Sequence, residues 1–290
     1  MTRSAQKSFR AAAIQFRSGM DPAGNIAALR KLVTEAVLQD AQYVQTPEMT
    51  GALVQNRSKL AEILRREESD PVVAAARELA REKGIYLHIG STPIALEGGG
   101  VANRAFLFAP DGDLIARYDK IHMFDVDLDN GESWRESSTY RAGDRSVVAT
   151  LPFARLGMAI CYDLRFPTLF RDQALAGADV LTVPAAFTRQ TGQAHWHILI
   201  RARAIENGAF VVAAAQGGKH EDGRETFGHS MIVDPWGRIL AEADHDEPGV
   251  IVADIDRSAS ATARSKVPNL ANRREFAVEL VESRIPAVVS

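Results

Sequence analysis

The chain has 290 residues, 46% of them hydrophobic and 24% charged, with a formal net charge of -3 and one cysteine. This is the composition of a soluble globular protein, long enough for one large domain or two modest ones. The near-balanced charge gives no reason to expect a nucleic acid or an anionic membrane as partner. A single cysteine excludes an internal disulfide framework and any multi-cysteine zinc or iron–sulfur site, and no apolar run is long enough for a signal h-region or a membrane span, so a cytoplasmic location is expected.

Residues 11–16 read as a strand. Asp21-Pro22 then supplies an N-cap and a first-turn proline, and Ile26, Leu29, Leu32, Val33, Ala36 and Val37 recur at helical spacing. Residues 43–45 are a short strand leading into Thr46-Pro47-Glu48, and Asn56-Arg57-Ser58 is a chance match to a glycosylation sequon. A second helix starts at Asp70-Pro71 and stops at Gly84, and residues 85–89 are the next strand. Gly98-Gly99-Gly100 is a loop tip. Residues 104–108 and 114–118 flank the hairpin signal Pro110-Asp111-Gly112. Residues 147–151 and 155–160 make a second antiparallel pair, 167–176 a helix closed by Gly177, 180–183 a strand, and 193–206 a long helix closed by Asn207-Gly208. Further strands are read at 211–215, 230–233, 239–243 and 250–255, with Asp234-Pro235-Trp236-Gly237 turning between two of them.

No repeat, low-complexity tract or linker interrupts this pattern. Residues 1–290 are therefore expected to form a single α/β domain with helices outside two stacked sheets. The tail from about residue 266 is polar, reads as helical in places, and suits a packing or oligomer arm.

Three segments bring reactive side chains to strand ends, where α/β folds build sites. The first is Gln45-Thr46-Pro47-Glu48, the second Arg117-Tyr118-Asp119-Lys120-Ile121-His122, and the third Gly157-Met158-Ala159-Ile160-Cys161-Tyr162-Asp163-Leu164-Arg165-Phe166-Pro167. A lone glutamate after a proline is ordinarily a solvated loop carboxylate, and a lone lysine after a strand ordinarily surface charge. A lone cysteine is more often a small buried hydrophobe than a nucleophile. Here an apolar run ends at Cys161, a polar turn follows, and Pro167 opens a helix. That corner displays a side chain, and the helix N-terminus and Arg165 are expected to favour the thiolate.

Other chemistries fit less well. A Cys–His pair would need one of seven histidines; His122 and His229 are the best placed by motif, but neither has an obvious orienting partner. His195 and His197 lie two apart on a helix, so they face different ways and cannot chelate together. Arg201, Arg203 and Glu206 read as a helix-surface or interface network.

As a set, the three segments resemble the nitrilase-like carbon–nitrogen hydrolase superfamily, from Ala11 to about Phe276. The resemblance implies a four-layer α-β-β-α sandwich, no metal and no cofactor. It makes Glu48 the general base, Lys120 the lysine of a Glu–Lys–Cys triad, Cys161 the nucleophile, and Glu136, in Trp134-Arg135-Glu136-Ser137, the second glutamate beside the lysine. The chemistry it implies is attack of Cys161 on an amide carbonyl, proton transfers through Glu48, and an oxyanion held by Lys120 and the Tyr162 backbone N–H.

The stretches from Pro184 to Asn207 and from Gly228 to Gly237, with the separations of Glu136 and Cys161 from Lys120, look like the Nit branch. Its deaminated glutathione amidases cleave an oxoglutaramyl amide to 2-oxoglutarate and an amine. On that reading Phe187, Thr188 and Thr191 line the acyl pocket, and Arg165 or Arg189 holds the carboxylate of an oxo-acid. Phe187 also suits core packing, and the threonines suit caps or turns. An ω-amidase or another aliphatic or carbamoyl amidase is the neighbouring expectation, and a silent family fold serving as a binding module the alternative of another class. Nitrile hydrolysis fits the motifs less well. The partner expected is a small amide, and members of this fold usually form homodimers or higher homo-oligomers.

Overall fold

The computed structural model describes residues 8–128, 131 and 133–281. In chain order the elements are β1 (Ser8–Gln15), α1 (Pro22–Leu38), β2 (Tyr43–Gln45), α2 (Arg57–Ile63), α3 (Pro71–Lys83), β3 (Tyr86–Ala95), β4 (Val101–Phe108), β5 (Leu114–Asp119), β6 (Asp125–Asp127) and β7 (Ser133–Arg135). Then follow β8 (Val147–Thr150), β9 (Arg155–Met158), α4 (Pro167–Leu175), β10 (Val180–Thr182), α5 (Arg189–Asn207), β11 (Phe210–Ala213), β12 (Gly217–Lys219), β13 (Glu225–Phe227), β14 (Met231–Val233), β15 (Ile239–Glu242), β16 (Gly249–Asp256) and α6 (Ser258–Lys266).

Local chemistry sets the helix ends. The Asp21 carboxylate accepts from the N–H groups of Ala23 and Gly24 to start α1, and Asp70 does the same for Val72 and Val73 at α3. Gly84 stops α3 in the left-handed conformation, as read. Asn56, half of the apparent sequon, is the N-cap of α2, accepting from Ser58 and Lys59. That helix escaped the sequence reading because it buries only Leu60. The α5 helix begins at Arg189 rather than Gln193, because Thr188 caps it through the Thr191 N–H. The serine- and alanine-rich α6 has no apolar stripe to announce it. Beyond it, residues 267–281 contain no helix, against the expectation of a partly helical tail.

The strands form two six-stranded sheets, ordered β16-β1-β2-β3-β4-β5 and β15-β14-β11-β10-β9-β8, with two small hairpins, β6-β7 and β12-β13. Each large sheet has three parallel central strands, β1-β2-β3 and β9-β10-β11, flanked by antiparallel ones. Strand β1 shows how the layers follow from alternation. Its Phe9, Ala11 and Ala13 join the core between the sheets, with Leu107 and Tyr118 on one side and Leu156, Met158 and Val211 on the other. Its Ala12 and Ile14 face outward and pack against Leu29 and Val33 of α1 and Ala76 and Leu79 of α3. On the far sheet, Phe170 of α4 and Trp196 and Ile200 of α5 close the core. The result is the four-layer α-β-β-α sandwich expected.

The C-terminal ends of β2, β5 and β9 deliver Glu48, Lys120 and Cys161. The end of β1 stitches the sheets together there: the Phe16 N–H donates to the Ala215 carbonyl at 3.1 Å, and the Gly217 N–H to the Phe16 carbonyl at 2.8 Å. No helix among the described residues is long and apolar enough to cross a membrane.

Candidate active site

Glu48 is buried three residues past the end of β2. Its loop lies directly on β3. A methyl group on Gly90 would sit 2.2 Å from the Thr46 carbonyl oxygen and 2.5 Å from the Pro47 carbonyl carbon, so only glycine admits that approach. The Gln216 amide donates to the Glu48 carbonyl at 2.9 Å and the Ala186 N–H to Glu48 Oε2 at 3.0 Å.

Lys120 follows β5 directly and is 2% exposed. Its Nζ donates to Glu48 Oε1 at 2.9 Å and to both oxygens of Glu136, at 3.0 and 2.8 Å. Glu136 enters a short 3-10 turn after β7 and is fixed in place by the Phe124 N–H, 2.7 Å from its Oε2. The Asn103 amide donates to Glu48 Oε1 at 2.9 Å and to Glu136 Oε1 at 3.2 Å, tying the two carboxylates together.

Cys161 is a free, buried thiol at the start of a 3-10 turn over Cys161–Arg165. Its backbone is left-handed, at φ 49°, and Met49, next to Glu48, is left-handed at φ 56°. Non-glycine residues rarely adopt this conformation, which collects at functional sites. The Cys161 N–H donates to the Pro184 carbonyl at 2.9 Å. The N–H of Tyr162, within the first turn, lies before the reach of the turn's own carbonyls.

Two buried groups hold this turn. Asp163, fully buried, accepts from the Tyr118 hydroxyl at 2.7 Å, the Ile160 N–H at 2.9 Å and the His122 N–H at 3.0 Å, with the His122 ring nitrogen at 2.7 Å. Tyr118 and His122 flank Lys120 in sequence, so one carboxylate locks the cysteine turn to the lysine. Arg203 donates to the Leu164 carbonyl through Nε at 3.0 Å and an η nitrogen at 2.7 Å. It is a buried clamp, not the surface charge that its helical sequence suggested; only its pairing with Glu206 matches that reading.

The three groups titrate together. Burial pushes the Cys161 thiol well above its ordinary value and the Glu48 carboxylate adds to the effect, outweighing the Lys120 ammonium. Burial also raises Glu48, but Lys120 and hydrogen bonds from Lys120, Cys161 and Asn103 more than offset it, leaving the carboxyl below the usual range. Burial pulls Lys120 down; Glu136 and Glu48 overcome this and hold it charged. The resting set is therefore thiol, carboxylate and ammonium. This corrects the expectation of a thiolate favoured by Arg165 and a helix N-terminus. The α4 helix starts only at Pro167, and the Arg165 guanidinium lies over the rings of Tyr162 and Phe187, at 5.9 and 5.6 Å. The thiol instead shares its cavity with a carboxylate that can serve as its base, Glu48.

All three open onto one cavity of about 270 Å³, also lined by Glu136, Tyr162, Arg165, Phe187, Thr188 and Thr191. The two threonines also bond each other at 2.8 Å, so their capping and cavity-lining roles coincide. Arg189 departs from expectation. It is the first residue of α5, its side chain is 63% exposed, and it pairs with Asp246 at 3.3 Å outside the cavity lining. The sequence reading passed over Asn103, Asp163, Trp134, Tyr140 and Arg224; the last three line the cavity. His122 is engaged by Asp163, while His229 stacks on Phe227 and lies 3.5 Å from Glu242, so neither is placed as a base for Cys161. Among the described residues, His197, His229 and Glu242 are the grouping with metal-ligand chemistry; they lie outside the cavity lining, and His197 is already bonded to Glu242 at 2.5 Å.

The chain is 40% identical over 271 residues to the deaminated glutathione amidase of Yersinia enterocolitica, covering 92% of this chain and 94% of that one. It is 34% identical over 277 residues to the omega-amidase of Homo sapiens, covering 94% and 98%. The C. elegans NitFhit protein superposes with a TM-score of 0.86 at 34% identity, over 93% of this chain and 66% of that longer one. The carbon-nitrogen hydrolase family model matches residues 10–265, and the chain belongs to that family.

Proposed function

We propose that this carbon–nitrogen hydrolase is a thiol amidohydrolase that cleaves a small non-peptide amide through a Cys161 thioester, most closely in the manner of a deaminated glutathione amidase. The observation that carries the chemistry is the convergence of the buried Cys161 thiol, Glu48 and Lys120 on one cavity, with Glu48 Oε1 2.9 Å from the Lys120 ammonium.

Glu48 takes the thiol proton as Sγ attacks the carbonyl carbon. Lys120 and the Tyr162 N–H stabilise the resulting oxyanion, and Glu136 keeps Lys120 charged and in place. Glu48 then protonates the leaving nitrogen as the C–N bond breaks. In the second half Glu48 takes a proton from water, which attacks the thioester; the sulfur leaves and recovers its proton, and the acid departs.

The acyl group proposed is a 2-oxo-acid carrying its own carboxylate. Phe187, Thr188 and Thr191 form the wall, and Arg165 is the guanidinium nearest the nucleophile in the chain. The Yersinia relative's name favours the oxoglutaramyl amide, and the human relative's name favours an ω-amidase as the second reading. A free catalytic thiol suits a reducing compartment such as the cytoplasm, and a homodimer is the assembly we propose.

The test measures kcat/KM for deaminated glutathione, 2-oxoglutaramate, a simple aliphatic amide and an N-carbamoyl amino acid side by side, with Cys161→Ala as control. Deaminated glutathione is expected to lead, and the alanine variant to lose turnover while keeping its fold. Preference for the aliphatic or carbamoyl substrate would reject the oxo-acid reading, and substantial turnover by Cys161→Ala would reject the thioester.

A further inference from the structure

The cavity is lined by four arginines, and they differ in what already occupies them. Arg57 donates to the Thr139 hydroxyl at 3.2 Å and the Ser138 carbonyl at 2.7 Å. Arg135 is bonded to both oxygens of Asp127, at 2.9 and 2.8 Å. Arg165 lies over Tyr162 and Phe187 and has His195 at 3.3 Å. Arg224, just before β13, is different. Its side chain is 17% exposed, and its guanidinium sits 4.6 Å above the Trp134 ring, which fixes the plane of its donors. Its Nε is buried with no hydrogen-bond partner among the described residues. Its nearest carboxylate oxygen, Asp222 Oδ2, is 3.7 Å away, beyond hydrogen-bond distance, and likewise lacks a partner.

Nε is closed to solvent and out of a ligand's reach, so the donors that a ligand in the cavity meets are the two η nitrogens, which have no hydrogen-bond partner among the described residues. The group that fits a guanidinium edge is a carboxylate, bound in its plane by two parallel N–H donors. Trp134 lies two residues from Glu136, so Arg224 stacks on the wall that holds Lys120. Arg165 lies on the turn that holds Cys161. Of the four cavity arginines, Arg165 and Arg224 are thus held by different elements.

We propose that Arg224 is a second carboxylate site, which reads an acidic group on the amine half of the substrate. The enzyme then selects amides whose leaving amine is itself an acid, such as an amino acid or a short peptide, over primary amides of the same acyl group. This rests on the amidase reading above and adds to it the residue that sets leaving-group specificity. Asp222 moderates the site as a competing negative charge.

The test uses two substrates with one acyl group: 2-oxoglutaramate N-substituted with a carboxymethyl group, and its N-ethyl counterpart. Wild type is expected to favour the carboxymethyl amide in kcat/KM, and Arg224→Met to cut that ratio by about 10- to 100-fold, as expected for a charged hydrogen-bonded contact. Arg224→Lys should restore part of it. Asp222→Asn keeps the Oδ1 acceptor that receives the Arg224 backbone N–H at 3.0 Å while removing the charge. It should raise the ratio a few-fold, a direction that a folding defect does not mimic. An unchanged ratio in Arg224→Met, or equal loss on both substrates, would overturn the proposal and leave Arg224 a structural partner of Trp134. A wild type that turns over both amides without preference defeats this inference alone. A wild type that turns over neither, while hydrolysing aliphatic amides, defeats the oxo-acid reading and this inference with it.

Discussion

Each member of the Glu48–Lys120–Cys161 set is set by its neighbours more than by its own type. A solvated carboxylate would be a poor partner for a thiol raised by burial. Here Lys120 and Asn103 keep Glu48 ionised against the effect of burial, so it accepts a proton from a thiol that is itself reluctant to lose one. Glu48→Gln keeps much of the hydrogen bonding and removes the base. Single-turnover acylation and thioester hydrolysis should both slow by about 10² to 10⁴. Alkylation of Cys161 by iodoacetamide at neutral pH should slow as well, because no carboxylate takes up the thiol proton. Acylation at the wild-type rate, with only hydrolysis impaired, would mean that another group serves the first step. Each of these ionisable residues stands where a strand runs out, but alone each reads as loop carboxylate, surface charge or buried hydrophobe; the resemblance of the three segments as a set is what made them legible. Asn103 was not, since a neutral amide in the middle of β4 gives no signal until the fold sets it between Glu48 and Glu136.

Among the elements, the long ones with strong end signals were readable: Asp21-Pro22 and Asp70-Pro71 start helices, and Gly84 and Gly208 end them. Elements that bury little, such as α2, α6 and the β6-β7 hairpin, were not, because periodicity reports burial; the three-residue strands β12 and β13 do bury Gly217, Gly218 and Thr226, but these carry no apolar alternation. The functional consequence is uneven: the triad comes from readable strand ends and Glu136 from the family resemblance, whereas Trp134 and Arg224 sit on or beside the unread hairpins. The junction of β5 with the cysteine turn was hidden too, since Asp163 acts through Tyr118 and His122, far away in sequence. Asp163→Asn keeps the size of the side chain but brings one NH₂ against groups that donate to both oxygens. Breaking this buried network should lower stability by about 3 kcal/mol and reduce kcat more than it raises KM, as the cysteine turn loses its register with Lys120. Tyr118→Phe removes one donor and should cost about 1–2 kcal/mol. Equal stability of wild type and Asp163→Asn in urea titrations would show that the turn is held by Arg203 alone.

For the whole molecule, two surfaces and one buried histidine govern behaviour in solution. Burial lowers the pKa of His88, on β3, to about 3, with its Nδ1 2.8 Å from the Tyr43 hydroxyl. Its unfolded value is near 6.5, so between the two the unfolded chain binds a proton that the folded chain does not. Stability from this group is therefore full above about pH 6.5 and falls as the pH drops, by about 2 kcal/mol at pH 5. His88→Asn should flatten that slope in urea titrations at pH 7 and pH 5; an equal slope in both proteins would assign the acid sensitivity elsewhere. Assembly is the other global property. On α5, Ile198 and Ile205 share one outward face, 69% and 53% exposed, with Trp236 exposed on the adjoining turn, which the Arg201 Nε reaches through the Gly237 carbonyl at 2.8 Å. The extended tail carries Phe276 and Leu280 at 84% and 89% exposure. Fully burying side chains of this size is worth roughly 1.5–3 kcal/mol each, and contiguous apolar patches of this kind mark association surfaces. The proposed homodimer places the α5 face of one protomer against its partner's, with the tail laid across the join. Sedimentation at micromolar concentration should therefore give twice the 31.6 kDa protomer mass. Ile198→Asp combined with Ile205→Asp should shift the protein to monomer, because each new carboxylate would be desolvated against its symmetry mate. Truncation after Pro268 should weaken the dimer without abolishing it, since the helix face remains. A wild type that sediments as a monomer, or a dimer indifferent to both helix substitutions, would rule out this surface as the interface.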